Sequence, residues 1–322
     1  MSLNENQKNV NSFQSKQTHW EKYASIRSRP RRILPEESDG EYLFPIARQP
    51  LCIHPKVQER GEQVRKYILV QSLYKYMNDI ANIETDVINR SAIKIAKDQF
   101  HFKFSDDIKQ DALSIVIDES YHAYVALDFM RQVTARTGII PLELPKDTEL
   151  SNAIRMIREL LPSSLQDDFE LIAVCIAEHV LTNDLIGIAK AEDVSKTFYS
   201  VMNDHVIDEG RHSSIFASVL GQFWNSMSSE HQDEIGAHLA ILLERYLQSE
   251  LQMSFERNML KSLHFSNSDV DAIIHETYSA VTDKSVREAS PIVRQVLSLL
   301  RKSGVLENKK THSAFQSHSF LD

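Results

Sequence analysis

Apolar residues recur along most of this chain every three to four positions, the spacing that lines one face of an α-helix, and few segments alternate with period two. The periodicity predicts helices over about 59–92, 106–137, 149–160, 166–190, 193–226 and 230–261, with two more near 267–281 and 287–303. Prolines mark the breaks, because proline lacks the backbone N–H a helix interior needs. TGIIPLELP, with Pro141 and Pro145, is a loop, and Leu161-Pro162-Ser163-Ser164 ends another helix. Asp193 is read as the cap of the helix that starts there, and Ser266 or Ser268 as the cap of a later one, since their oxygens can accept from the unpaired N–H groups of a first turn.

The ends read differently. Residues 1–20 are polar and aperiodic, so they are expected to be loosely attached. Between about 26 and 56 lie five of the nine prolines, Pro30, Pro35, Pro45, Pro50 and Pro55. That stretch is expected to be an extended arm docked on a helical body through Leu43, Phe44, Ile46 and Leu51. The tail after Glu307 is polar and expected to fray. The expected division is a tail and arm over 1–56, a helical-bundle domain over 57–306 and a polar tail over 307–322.

Composition excludes several classes. A chain of 322 residues with only 8 Gly suits a large all-α fold. The formal charge is −9, and the one basic cluster, Arg27, Arg29, Arg31 and Arg32, is too small for a nucleic-acid interface and is expected to be solvated. Cys52 and Cys175 form neither a disulfide framework nor a CxxC pair. No apolar run reads as a membrane span and the amino terminus is too polar for a signal peptide, so the expected location is the cytoplasm, without membrane or nucleic-acid partners.

The chemistry lies in a long repeat. Glu119 and His122 in IDESYHAY, and Glu209 and His212 in IDEGRHSS, are two Glu-x-x-His motifs on predicted helices. At i, i+3 both side chains share a helix face and can reach one metal. Each motif has a lone upstream glutamate in another apolar helix, Glu84 before the first by 35 positions and Glu178 before the second by 31. One Glu from each of two helices and Glu-x-x-His from each of two others is the ligand arrangement of di-iron and di-manganese carboxylate bundles. Burial strengthens the reading. Glu178 sits in LIAVCIAEHVL with no cation one turn away, and an unpaired buried charge costs several kcal/mol. Carboxylates with imidazole suit iron, with manganese as a substitute.

Asp118 and Asp208, each one residue before a motif glutamate, are placed to accept from the free N–H of a ligating histidine on a neighbouring helix, and Arg211 can pair with one of them. His205 lies four before Glu209 and seven before His212, on the same face, and is expected to be an additional ligand.

With His205 included, the order Glu84, Glu119, His122, Glu178, His205, Glu209, His212 resembles the p-aminobenzoate N-oxygenase family of di-iron enzymes. The likeness spans about 130 residues and is otherwise one of general helical character. It implies a ferritin-like four-helix core with additional helices. It also implies that Glu84 and His122 bind one iron, that Glu178, His205 and His212 bind the other, and that Glu119 and Glu209 bridge. The implied reaction is oxygen activation through a peroxo species and oxygenation of an aryl or amino-acid-derived amine to hydroxylamine, nitroso or nitro products. The partners would be the amine, O2 and an external electron donor such as a ferredoxin or reductase, with room for a homodimer. The alternatives are an acyl desaturase or C-hydroxylase, which has no need of His205, a ferroxidase or iron store, and a ribonucleotide-reductase-like radical subunit.

Pocket residues follow only from helical offset. Val174, Cys175, Leu181 and Thr182 flank Glu178, and Met202, Val206 and Phe216 flank the third-histidine helix; core packing is the expected role of each. Tyr121 and Tyr124 are expected to be aromatic core rather than a radical site, and His179 to point away from Glu178.

Overall fold

The structure is a computed structural model that describes residues 15–37, 40–279 and 290–321. Among these residues it is all-α, with an isolated bridge between Tyr42 and Val194 as its extended pairing. Four long elements form a ferritin-like bundle. The first is α4 (Glu62–Ile83), which passes through a π-helical turn at Glu84–Ile88 into α5 (Asn89–Ala96). The others are α6 (Asp106–Thr137), α8 (Gln166–Ile188) and α9 (Lys196–Ser226). α4 and α5 pack on α6, α8 packs on α9, and α6 meets α9. Short connections join the members of each hairpin, and the crossover between hairpins carries α7 (Glu149–Arg158).

Two apolar cores sit at opposite ends of this bundle. One takes Ile108, Ala112 and Ile115 from α6, Phe169 to Val180 from α8, and Ile215 to Phe223 from α9. The other takes Met77 and Ile80 from α4, Ala126 to Val133 from α6, and Phe198 to Met202 from α9. Between the two runs on α6 and on α9 stand the buried polar residues Asp118, Glu119 and His122, and His205, Asp208, Glu209 and His212, with Glu84 and Glu178 buried beside them from the other two helices. The polar layer therefore crosses the whole bundle. α8 is the one helix among the described residues long and apolar enough for a membrane span, contrary to the reading of its sequence, but 67 % of that apolar window is buried in the bundle.

Several expected elements are corrected. The helix at 230–261 is two, α10 (Ser229–Leu247) and α11 (Glu250–Ser262), parted at Ser249, which takes φ 54°. That break has neither Gly nor Pro, so periodicity ran straight through it. The cap of α9 is Ser195, whose hydroxyl accepts from Phe198 N–H at 3.0 Å. Asp193 instead accepts from Ile46 N–H at 3.1 Å and holds the arm. Ser266 caps α12 (Asn267–Tyr278) as expected. The helix expected at 287–303 is α13 (Pro291–Lys302); residues 280–289, in which parts of two expected helices fall, lie outside the described residues.

Of the two polar ends, residues 15–28 and 308–321 are more ordered than their polarity implied, and residues 1–14 lie outside the described residues. After residue 307, α14 (Lys309–Ser317) packs on α10 with Phe315 and Phe320 buried. Gly236 permits that approach: a Cβ there would lie 1.9 Å from Thr311 Oγ1. At the front, α1 (Gln17–Tyr23) and α2 (Ser25–Ser28) lie against α6 and α9. The arm behind them is docked as expected, with Phe44, Leu51 and Cys52 buried, and it ends in the short α3 (Pro55–Gln58). Its arginines are not simply solvated. Arg31 makes a two-point pair with Asp128 (2.9 and 2.7 Å), and Arg32 one with Asp204 (2.7 and 3.0 Å).

Candidate metal centre

The structure brings all seven candidate ligands together in the polar layer. Donor atoms of Glu84, Glu119, His122, His205 and Glu209 lie within 4.8 Å of one another, as do those of Glu119, Glu178, Glu209 and His212. Every one of these residues is buried. Glu119 and Glu209 belong to both groups. The i, i+3 spacing in α6 and α9 does what helix geometry requires: His122 Nδ1 lies 3.1 Å from Glu119 Oε2, and His212 Nδ1 lies 3.2 Å from Glu209 Oε1. Glu84 opens the π-helical turn, a local widening found often at functional sites.

One expected grouping is wrong. His205 does not join Glu178 and His212; its Nε2 lies 2.9 Å from Glu84 Oε1, and its ring centroid is 3.9 Å from that of His122. His205 lies two helical turns before His212 on α9, level with Glu84 and His122.

Behind the ligands the two motifs brace each other. His122 Nε2–H donates to Asp208 (3.1 Å) and His212 Nε2–H donates to Asp118 (3.0 Å), so each histidine is held by the aspartate of the other motif. Arg211 donates to Asp118 and, at 3.3 Å, to Asp208. With Nε2 occupied, Nδ1 of both rings is left facing the cluster.

The aspartates are gripped from outside by residues the sequence reading passed over. Trp20 Nε1–H donates to both oxygens of Asp118, and the backbone N–H of Ser25 to both oxygens of Asp208 (3.2 and 3.1 Å). One signal was available. Trp20 is one of two tryptophans and stands in a polar segment, where an indole N–H that docks on the body needs a partner.

The fit to metal is tested by what is left unpaired. Glu84 Oε2, Glu119 Oε1, both Glu178 oxygens, His205 Nε2, Glu209 Oε1 and His212 Nδ1 are buried without a hydrogen-bond partner. Buried polar atoms are ordinarily satisfied, and a concentration of orphaned oxygen and nitrogen donors at one point suits cations.

Over residues 17–304 the chain matches the family described as p-aminobenzoate N-oxygenase AurF. It belongs to that family. No curated protein matches the chain. The family consists of N-oxygenases, oxidoreductases acting on aryl amines with O2, and the matched span takes in every candidate ligand as well as Trp20 and Ser25.

The cluster's own side chains are electrostatically tense. Burial pushes Glu84 up to about 7, against the relief from His205. Burial raises Glu178 well above the usual carboxyl range, with Glu209 and Glu119 adding to it. Burial and His122 would depress His205, but Glu84 and Glu209 outweigh them and hold it at about 9. His122 and His212 are likewise raised by their carboxylate neighbours against burial. Despite burial, Asp208 is held well below its usual range by His122 and Ser25.

Two cavities flank the layer. The larger, of ≈ 470 Å³, reaches Glu84, Glu178 and Glu209 and includes Leu181 in its wall. The smaller, of ≈ 190 Å³, reaches His122 and His205 beneath the arm. Met202, Tyr121 and Tyr124 line it; the tyrosines are therefore not core, and Tyr124 is 59 % exposed. Val174, Cys175 and Phe216 are core. Val206 packs on the other core, and Thr182 donates to the carbonyls of Glu178 (2.7 Å) and Glu209 (3.3 Å), tying α8 to α9. His179 points away, its Nδ1 3.3 Å from Ser213 Oγ.

Proposed function

We propose that the chain is a di-iron N-oxygenase in which Glu84, His122 and His205 hold one iron, Glu178 and His212 hold the second, and Glu119 and Glu209 bridge. The observation that carries this reading is the set of buried, unpartnered donor atoms of Glu84, Glu119, Glu178, His205, Glu209 and His212 aimed at one cluster. Bound there, a pair of iron ions supplies the redox capacity and oxygen chemistry that no side chain has, and manganese is a competent substitute for occupancy.

The remaining work belongs to the chain. Asp118 and Asp208 hold His212 and His122 in the tautomer that presents Nδ1 to metal. Arg211 offsets the charge of both aspartates. The two apolar cores keep bulk water from the layer. The cavity of ≈ 470 Å³ supplies the amine, because it opens on Glu84, Glu178 and Glu209, whereas the imidazoles of His122 and His212 are braced on their far side. The balance for one turnover is R–NH2 + O2 + 2 electrons + 2 H⁺ giving R–NHOH + H2O, with the electrons from an external iron–sulfur or flavin donor. Both cysteines are free, which suits a reducing compartment such as the cytoplasm.

The test is metal analysis, followed by mixing of the reduced protein with O2 and an aryl amine. Two irons per chain and hydroxylamine, nitroso or nitro product are expected. A protein that takes up no iron, or that leaves the amine untouched with a competent donor present, defeats the reading.

A further inference from the structure

The cavity beside Glu84, Glu178 and Glu209 carries charges of its own. Going back along α4 from Glu84, its wall includes Asp79 and Lys75; across from them stand Arg48, Asp184 and Glu149. An adjoining polar recess of ≈ 300 Å³ shares several of these residues and adds Glu256. Both cations are already paired. Lys75 Nζ lies 2.6 Å from Asp79 Oδ2, and Arg48 donates to the carboxylate and the carbonyl of Asp184 at 2.5 and 2.8 Å. Neither Glu149 nor Glu256 makes an ion pair among the described residues. Glu149 accepts from Gln252 N–H at 2.8 Å, and Glu256 is fully buried among Gln49, Gln252 and Tyr278. Asp79 Oδ1 is buried without a hydrogen-bond partner.

Apart from the cluster glutamates, the combined wall holds, among the described residues, four carboxyl groups, Asp79, Glu149, Asp184 and Glu256, against two cations. Burial raises the carboxyl groups of Asp79, Glu149 and Glu256, the response of acids that lack enough counter-charge. An anionic ligand end would add like charge to this wall and find no free cation among the described residues, whereas a cationic end would complete it.

We propose that the amine oxygenated here carries a second, positively charged nitrogen at its far end, held by Asp79 and Glu149, and that a carboxylate-bearing aryl amine is disfavoured. This rests on the N-oxygenase reading. The reacting nitrogen is the neutral one, since oxygenation needs its lone pair. It exchanges N–H for N–OH while the far ammonium keeps its charge, with the same oxygen and two-electron balance as above.

The test compares 4-aminobenzylamine with p-aminobenzoate, which share an aniline nitrogen and carry opposite charges at the far end. Binding is measured by calorimetry on the anaerobic iron-loaded protein, and turnover by product analysis. The ammonium compound is expected to bind roughly tenfold or more tightly, as charge complementarity in a confined site dictates. Glu149→Gln should weaken it several-fold without weakening p-aminobenzoate, and Asp79→Asn, by freeing Lys75, should shift preference towards p-aminobenzoate. Iron content and circular dichroism establish that each variant is folded. Equal or tighter binding of p-aminobenzoate, or no binding of 4-aminobenzylamine, overturns the proposal. Tight binding of 4-aminobenzylamine with no N-oxidised product supports the charge preference and sinks the N-oxygenase reading instead.

Discussion

The indole N–H of Trp20 donates to both carboxylate oxygens of Asp118, at 2.9 and 3.0 Å, across 98 positions of sequence. Asp118 in turn receives His212 Nε2–H and Arg211. The arm thereby enters the chain of contacts that orients a candidate ligand. Trp20→Phe keeps the apolar bulk and removes the donor. It should lower iron affinity by roughly tenfold, in line with about 1.5 kcal/mol for a hydrogen bond to a charged group. Competition with a chelator measures this, and an unchanged affinity would show that the arm is only a cover.

Asp208→Asn retains shape but loses the charge that faces His122 and Ser25 N–H. A loss of about 10- to 100-fold in iron affinity or activity is expected, the range typical of partners behind metal-bound histidines. Wild-type values in both assays would rule out a positioning role.

His205→Ala removes a donor from the group around Glu84 and His122 and leaves the group around Glu178 and His212 whole. Iron stoichiometry should fall from two towards one, and the Mössbauer signature of a bridged pair should give way to that of a single ion. Retention of two irons per chain would show that His205 is not needed to hold the first.

Metal uptake should release protons. With His205 held at about 9, and His122 and His212 also raised, the imidazoles of the metal-free protein are protonated at neutral pH. A metal binds only the neutral ring, so affinity should rise with pH through the region between about 7, where Glu84 loses its proton, and 9. Calorimetry in buffers of different protonation enthalpy reads the proton count directly. A pH-independent affinity would show that the histidines are already neutral.

Glu178 is completely buried and has neither oxygen hydrogen-bonded, its nearest counter-charge being His212 Nδ1 at 3.4 Å from Oε1. Glu178→Met should therefore stabilise the metal-free protein by about 1–3 kcal/mol while abolishing the second metal site, because an unsatisfied buried group carries its full desolvation cost. Denaturant melts with and without iron separate the two effects; destabilisation of the metal-free form would mean that the carboxyl is satisfied without metal.

What could be read from the sequence was local. The faces shared by Glu119 and His122, and by Glu209 and His212, follow from 3.6 residues per turn, and the apolar surroundings of Glu178 are written in its own segment. Those spacings were enough to assemble the candidate ligands and the helical bundle. Tertiary structure decided which elements face one another. It crossed the pairs, giving Asp118 to His212 and Asp208 to His122, and it seated His205 beside Glu84 rather than Glu178. It also brought Trp20 and Ser25 onto the aspartates and broke a periodic stretch at Ser249. Helical periodicity specifies angle around an axis, but depth along a neighbouring axis depends on how whole helices pack, and no short window of residues contains that information.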